Sequence, residues 1–321
     1  MIQFLLGGRI MEEHIRKAMN DSIIMEAGKY YGLRFEEIEY YGGFENFIYI
    51  YKRQNIEYIL RLVHSGHKAY NQVLAEIEFI DYLARNGASV STVIHSVKDN
   101  IVEKVKIDNE SYFTVTSFIK GKGGRVREEV KKPEFWQNLG KQIGLLHKLT
   151  KTFKPKHKRI VWEEDTLYKL APKFLSGKED EILKKLNERM KKISSFPKNT
   201  DNYGLIHTDL HFGNMVIDNF GNLTFFDFDD SAYKHFISDI AIVLFYHFAY
   251  RNPTIEIKTE KSLWILNNFF KGYKTHNNLP KEELLHLQDF LKLRELTLYI
   301  VIIAGGEETI QSEWGQNYIN S

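Results

Sequence analysis

Cysteine is absent from the 321 residues of this chain. Disulfides, thiolate catalysis and Cys-ligated zinc are thereby excluded, and a reducing, cytoplasmic setting is expected. No apolar run approaches the roughly 20 residues that a membrane-spanning helix needs, so no membrane partner is expected. Met1-Ile2-Gln3-Phe4-Leu5-Leu6-Gly7-Gly8 is too short for a signal-peptide core and has no basic segment before it. Met11 opens a polar helical pattern, so residues 1–10 are expected to be either an upstream-start artefact or a loosely attached tail. A formal net charge of +2 is too small to mark a nucleic-acid partner, and none is expected. Repeats and low-complexity tracts are also lacking. What is present is core material, with 22 Phe and 18 Tyr in a chain long enough for two compact lobes.

Residues 12–31 read as one amphipathic helix. Period-two alternation then runs through Phe44–Tyr51 and Ile56–Val63, with Lys52-Arg53-Gln54-Asn55 as the turn between them. Gln72–Asn86 is helical and closes at Asn86-Gly87. Short strands follow at Thr92–Val97, Ile101–Ile107 and Tyr112–Phe118. Lys120-Gly121-Lys122-Gly123-Gly124 is the natural break, dividing residues 1–119 from a mainly helical 120–321. In that second part Phe135, Leu139, Ile143, Leu146 and Leu149 share a helical face. The hairpin Met215–Ile217 and Leu223–Phe226 is the one sheet foreseen there, and helices resume near Asp239. Residues 131–159 are rich in Lys and Arg, with Glu134 the lone acid; a solvated face is favoured over an anion site.

The chemistry is concentrated in Leu205-Ile206-His207-Thr208-Asp209-Leu210-His211-Phe212-Gly213-Asn214. One hairpin later comes Phe225-Phe226-Asp227-Phe228-Asp229-Asp230. Phosphoryl transfer needs a carboxylate to take the proton of the attacking hydroxyl. It also needs an amide oxygen and a second carboxylate to hold Mg²⁺ against the nucleotide phosphates. Asp209, Asn214 and Asp227 have the types, order and spacing for those tasks. An Asp at a strand end is unfavourable unless it binds metal or accepts hydrogen bonds, and three neighbouring carboxylates repel until a divalent cation relieves them. Alternation puts Asp227 and Asp229 on one side and Asp230 on the other, with Asp229 an outer contact of the metal or a residue facing solvent or substrate.

At these residues the chain resembles the aminoglycoside phosphotransferase/choline kinase-like family, relatives of the protein kinases; the likeness runs from Tyr41 to Leu244 and thins beyond. The resemblance implies an α+β, two-lobed protein-kinase-like fold, with a small β-rich N-lobe and a larger, mainly helical C-lobe. It implies a catalytic base at Asp209 and metal ligands at Asn214 and Asp227. Gly42-Gly43-Phe44-Glu45-Asn46 resembles the family's nucleotide-covering turn, where backbone N–H groups approach phosphates because no Cβ intervenes. A kinase-like site also needs a cation on the third strand and a helical Glu to orient it. The strand offers Arg61 where many relatives carry Lys, and Lys52 is the other cation available. Glu76 edges the stripe Val73, Ile77, Ile80, Leu83 and Ala84, whereas Glu78 is turned roughly 100° from Ile77, so Glu76 is the expected partner. The strand ending at Ser117, Phe118 and Ile119 enters the Gly-rich break as an adenine-binding hinge would. His207 is expected to pack beneath the loop. His211 would face a phosphate, the acceptor or solvent, and Asp239 would brace the loop or serve as an ordinary helix-start acid.

These readings give an ATP- and Mg²⁺-dependent phosphotransferase, with GTP an open alternative. The acceptor is a small-molecule hydroxyl: an amino alcohol, sugar, hydroxy amino acid or aminoglycoside. Trp162, Tyr168, Tyr233, His235, Phe236, Tyr246, Trp264, Tyr273 and Trp314 would box an amine or stack on a sugar, unless they are core. The charge balance weighs against a polycationic acceptor. One rival is a Ser/Thr protein kinase or a nucleotide-binding pseudokinase module. A module would be expected to lose one of the three site residues, and a protein kinase would need an activation segment where little chain separates Asp230 from Asp239. Another is a metal hydrolase using His207, Asp209 and His211, which leaves Asn214 and Asp227 unexplained. The oligomeric state is not legible.

Overall fold

A computed structural model describes residues 13–43, 46–175, 180–249 and 260–319. The chain forms two compact units. The first comprises residues up to Lys122 together with Lys154–Lys158, and the second comprises Gly123–Phe153 and Arg159 onward. The sequence division at residues 119 and 120 leaves out the return of Lys154–Lys158. Within the first unit that return is fixed by Glu78, whose carboxylate accepts the backbone N–H groups of Lys156 (2.8 Å) and His157 (3.0 Å).

The first unit begins with α1 (Glu13–Ala18) and α2 (Asp21–Lys29). The single helix expected over 12–31 is broken because Asn20 leaves the helical conformation. Its side chain accepts the N–H groups of Ser22 and Ile23, so it caps the second helix instead of continuing the first. Strands β1 (Glu39–Gly42), β2 (Phe47–Arg53) and β3 (Ile56–His64) follow, then helix α3 (Tyr70–Arg85), then β4 (Val93–Ile94), β5 (Glu103–Lys106) and β6 (Tyr112–Ile119). All pair antiparallel in the order β1-β2-β3-β6-β4, with β5 also on β6. The sheet has two distinct faces. Phe47, Tyr49, Tyr51, Leu60, Leu62, Phe113 and Val115 join Ile15, Ile23 and Ala27 of the first two helices in one apolar cluster. The intervening residues Arg61 and Thr116 point the other way, where Arg61 donates to Thr116 and to Glu76 of α3.

The second unit is mainly helical: α4 (Pro133–Thr150), α5 (Thr166–Phe174) and α6 (Asp180–Ser194) lead to a small β region. There β7 (Tyr203–Ile206) precedes the hairpin β8 (Met215–Ile217) and β9 (Leu223–Phe225), and β10 (Ala232–His235) returns to pair antiparallel with β7. This second small sheet was not anticipated, because β10 holds Lys234 and His235 and does not alternate. Helices α7 (Ile237–Ala249), α8 (Glu260–Tyr273), α9 (Lys281–Leu285), α10 (Leu287–Ala304), α11 (Gly306–Gln311) and α12 (Glu313–Ile319) complete it. Helices α4 and α8 approach so closely that a Cβ on Gly272 would lie 1.7 Å from the carbonyl oxygen of Gln137, and one on Gly140 would lie 2.0 Å from that of Phe269. No helix among the described residues is long and apolar enough to cross a membrane.

Candidate active site

The loop after β7 is fixed chiefly through Asp239, which is fully buried near the start of α7. One carboxylate oxygen accepts the N–H of Thr208 (2.8 Å), and the other accepts that of His207 (3.3 Å) and lies 3.2 Å from His147 Nε2. Thr208 takes a left-handed conformation, φ +64°, and its hydroxyl donates to the carbonyl of Asp230 at 2.6 Å. Asp239 therefore braces the loop as the resemblance implied. His207 is buried; its Nδ1 accepts the N–H of Asp209 (3.3 Å), so its Nε2 donates to the carbonyl of Phe226 (3.0 Å). Burial, against the charges of Asp239 and Asp209, pushes its pKa below the ordinary value and keeps the ring neutral. With both nitrogens engaged, His207 ties the two halves of the site together and is not a metal ligand.

Asp209 is placed among donors. His211 caps the turn Phe212–Asn214 by accepting the N–H of Gly213 on Nδ1 (2.8 Å), which leaves Nε2–H facing Asp209 Oδ2 at 3.3 Å. Asn214 Nδ2 donates to the backbone carbonyl of Asp209 (3.0 Å) and to its Oδ2 (3.1 Å). Arg294 of α10 forms an ion pair with Oδ1. Burial pushes the Asp209 carboxyl up, but His211 and Arg294 outweigh it and hold the group well below the usual carboxylate range. The open question at His211 resolves toward the carboxylate: it is buried, not solvent-facing.

Because Asn214 uses its amide nitrogen on Asp209, its Oδ1 is the atom left for a cation. Asp227 is exposed, with φ +66°, just beyond β9. That left-handed turn is costly for a non-glycine residue. It also corrects the alternation argument: the strand ends at Phe225, so Asp227 and Asp229 do not share a face by pleating. Asp229 is buried, and its carbonyl accepts from Arg159 at 2.5 Å. No cluster of three His, Cys, Asp or Glu suited to a metal exists among the described residues. That is compatible with an ion held by one amide, one carboxylate and substrate phosphates, and it disfavours the hydrolase reading. The chain between Asp230 and α7 is taken up by β10, which leaves no room for an activation segment.

In the first unit Arg61 and Glu76 form a buried ion pair of 2.8 Å. Arg61 Nε is 3.3 Å from Thr116 Oγ1, and its guanidinium lies 5.5 Å from the centroid of the Phe118 ring. Lys52, the other cation considered, pairs with Glu57 at the surface. Gly42 and Gly43 have φ of +139° and +126°, and a Cβ on Gly43 would lie 1.8 Å from the carbonyl oxygen of Asn46, so the turn demands glycine there. Phe44 and Glu45 lie outside the described residues. At the hinge, the hydroxyl of Ser117 is bonded to that of Tyr51 (2.8 Å), and the N–H of Ile119 donates to the carbonyl of Thr92 (2.8 Å). The N–H of Ile119 is therefore engaged within the sheet unit.

Residues 38–262 match the phosphotransferase enzyme family. The chain belongs to that family. It is 31 % identical over 293 residues to amicoumacin kinase of Bacillus subtilis (strain 168), covering 90 % of this chain and 87 % of that one. Among solved structures, amicoumacin kinase in complex with AMP-PNP, Ca²⁺ and Ami superposes with a TM-score of 0.87 at 28 % identity, covering 95 % of this chain and 92 % of the other. A microcompartment-associated aminopropanol kinase shares the fold, with a TM-score of 0.73 at 20 % identity and 94 % coverage of each chain. The two-lobed, kinase-like α+β architecture is thus shared across these phosphotransferases.

Arg294 and its neighbours are the part of the site that sequence reasoning missed. Arg294 lies four residues from both Phe290 and Leu298, which are buried on α10. A lone arginine on an apolar helical stripe was the available signal. Of the aromatic candidates, Trp162, Phe236 and Tyr273 are core-buried and Trp264 is exposed. Tyr246 meets both Arg294, whose guanidinium lies 5.0 Å from its ring centroid, and His211. The side chain of Trp314 lies outside the described residues.

Proposed function

We propose that the protein is a cytoplasmic, ATP- and Mg²⁺-dependent kinase that phosphorylates a hydroxyl of a small molecule related to amicoumacin. The observation that carries this reading is the arrangement at Asp209: an ionised carboxylate held by His211, Asn214 and Arg294, in the loop that also brings Asn214 to the site. Support for the acceptor class comes from the likeness to amicoumacin kinase over nearly the whole of both chains. A carboxylate held at such low basicity is a poor base in the ground state. Its work is to orient the acceptor hydroxyl and take the proton late, as the bond to phosphorus forms. Asn214 and Asp227 would hold Mg²⁺, which when bound neutralises charge on the phosphates. Arg61, steadied by Glu76, would grip the nucleotide phosphates with a planar fork where many relatives use a point charge. Gly42, Gly43 and Asn46 would cover the phosphates, and the backbone from Ser117 to Ile119 would meet the base.

The test is direct phosphate transfer. Purified protein with Mg²⁺ and ATP or GTP is offered amicoumacin, amino alcohols, sugars, hydroxy amino acids and aminoglycosides. Transfer to amicoumacin with ATP preferred is the expected result. Transfer to none of them, with nucleotide binding intact, would overturn the enzyme reading in favour of a binding module.

A further inference from the structure

Lys234, Trp162 and Arg294 carry donors that the contacts described so far do not use. Lys234, on β10, is only 7 % exposed, and its ammonium is in no ion pair among the described residues. The ammonium stands over the ring of Trp162, 5.1 Å from its centroid. Trp162 Nε1–H is itself buried without an acceptor among the described residues, and so is Arg294 Nε. Trp162 and Arg294 are linked through Tyr168 and Thr297. Trp162 packs edge-on against Tyr168 at 5.9 Å, Tyr168 is bonded to Thr297 at 2.8 Å, and Thr297 follows Arg294 by one turn of α10. Arg294 in turn pairs with Asp209.

Buried polar groups are almost always paired, and a group that is not asks for an explanation. Trp162 Nε1 and Arg294 Nε are donors, and with the ammonium of Lys234 over the Trp162 ring two of the three side chains are cationic. The neighbouring carboxylates do not answer them. Asp165 caps α5 at Leu167 N, Glu163 Oε1 is bound by Lys198 and Ser194, Glu163 Oε2 is not in an ion pair with Lys234 among the described residues, and Asp239 holds the catalytic loop. We infer that Lys234, Trp162 and Arg294 form an acceptor subsite for an anionic oxygen group, a carboxylate being the plainest case, carried by the molecule whose hydroxyl Asp209 serves. The inference rests on the kinase reading and adds to it the charge of the substrate. Burial, with Arg294 nearby, pushes Lys234 down to about 8, so the ammonium is charged at neutral pH and easily discharged above it.

The experiment compares hydroxy acids with their primary amides: serine with serinamide, and 3-phenyllactate with its amide. The wild type is set beside Lys234→Met and Lys234→Arg, each checked for folding by circular dichroism. A charge-assisted hydrogen bond predicts a kcat/KM for acids about 10- to 100-fold above that for amides. The preference should vanish in Lys234→Met, survive in Lys234→Arg, and decline in the wild type above pH 8, while Mg²⁺-ATP affinity stays constant. The groups that set that pH dependence are Lys234 itself, Arg294, Asp165, Asp239 and Glu163. Equal use of acids and amides, or an unchanged preference in Lys234→Met, would overturn the subsite. Transfer to amino alcohols but never to acids would sink it and leave the kinase standing. Should no phosphate move at all, calorimetric binding of 3-phenyllactate decides: binding lost in Lys234→Met supports the subsite, and no binding to the wild type refutes it.

Discussion

At the scale of single residues, Asp209 separates chemistry from binding. Its three donor partners belong to the loop and to α10, and of these only Asn214 is assigned a part in binding Mg²⁺-ATP, through the metal. Asp209→Asn keeps the shape and removes the base, so turnover should fall by roughly 10²- to 10⁴-fold. Mg²⁺-ATP affinity by calorimetry should hardly change. Wild-type turnover in the variant would remove Asp209 from the mechanism. Lys234 gives a second residue-scale prediction, on stability. Its ordinary pKa is 10.5 and the folded value is about 8, chiefly through burial. Between those values the unfolded chain holds a proton that the folded chain lacks, so stability rises with pH across the window. The contribution of this one group is on the order of 3 kcal/mol. In urea denaturation, the stability of wild type minus that of Lys234→Met should climb by about that amount from pH 8 to 10.5. A flat difference would mean that the ammonium is not desolvated. Asp209, Asn214 and Asp227 were legible because they sit within one short stretch of chain in a fixed order. Arg294 and Lys234 were not, because their significance depends on neighbours far along the sequence.

At the scale of elements, legibility followed the strength of the local signal. Strands β2, β3 and β6 and helix α3 were readable because alternation and the 3.6-residue stripe were unbroken. Glu76 could be chosen over Glu78 on that stripe, and the pair with Arg61 answers it. The first helix was misread as continuous because its apolar spacing runs through Asn20, while the cap that divides it is a backbone event. Strand β10 was missed because its partner β7 lies across the catalytic hairpin. The crossing of α4 and α8 makes a prediction that belongs here. Gly272→Ala would push a methyl group into the backbone of Gln137, where no side chain can yield. Overpacking of this kind costs about 1–3 kcal/mol, and the helices must part to accept it. The urea midpoint should fall accordingly; an unchanged midpoint would mean that the two helices can part at no cost.

At the scale of the whole molecule, the residues assigned to the nucleotide fall in the first unit, and those assigned to metal and acceptor proton fall in the second. Each assignment can therefore fail separately, and ligand-linked stability reads them apart. A ligand that binds only the folded chain stabilises it by RT ln(1 + [L]/Kd), about 2.7 kcal/mol at a hundredfold excess over Kd. Mg²⁺-ATP should raise the melting temperature of the wild type, and a chelator should remove most of the gain. Asp227→Ala should abolish the Mg²⁺-dependent part, since it takes away the only carboxylate assigned to the ion. Arg61→Ala should shrink the whole shift, with or without metal, because a phosphate clamp acts on the nucleotide itself; Arg61→Lys should recover part of it. Asp209→Asn should leave the shift intact, since its partner is the acceptor. A melting shift that Asp227→Ala leaves fully dependent on Mg²⁺ would place the metal elsewhere, with buried Asp229 the next carboxylate along the chain. A shift untouched by Arg61→Ala would pass the clamp to another cation and leave the buried Arg61–Glu76 pair as architecture.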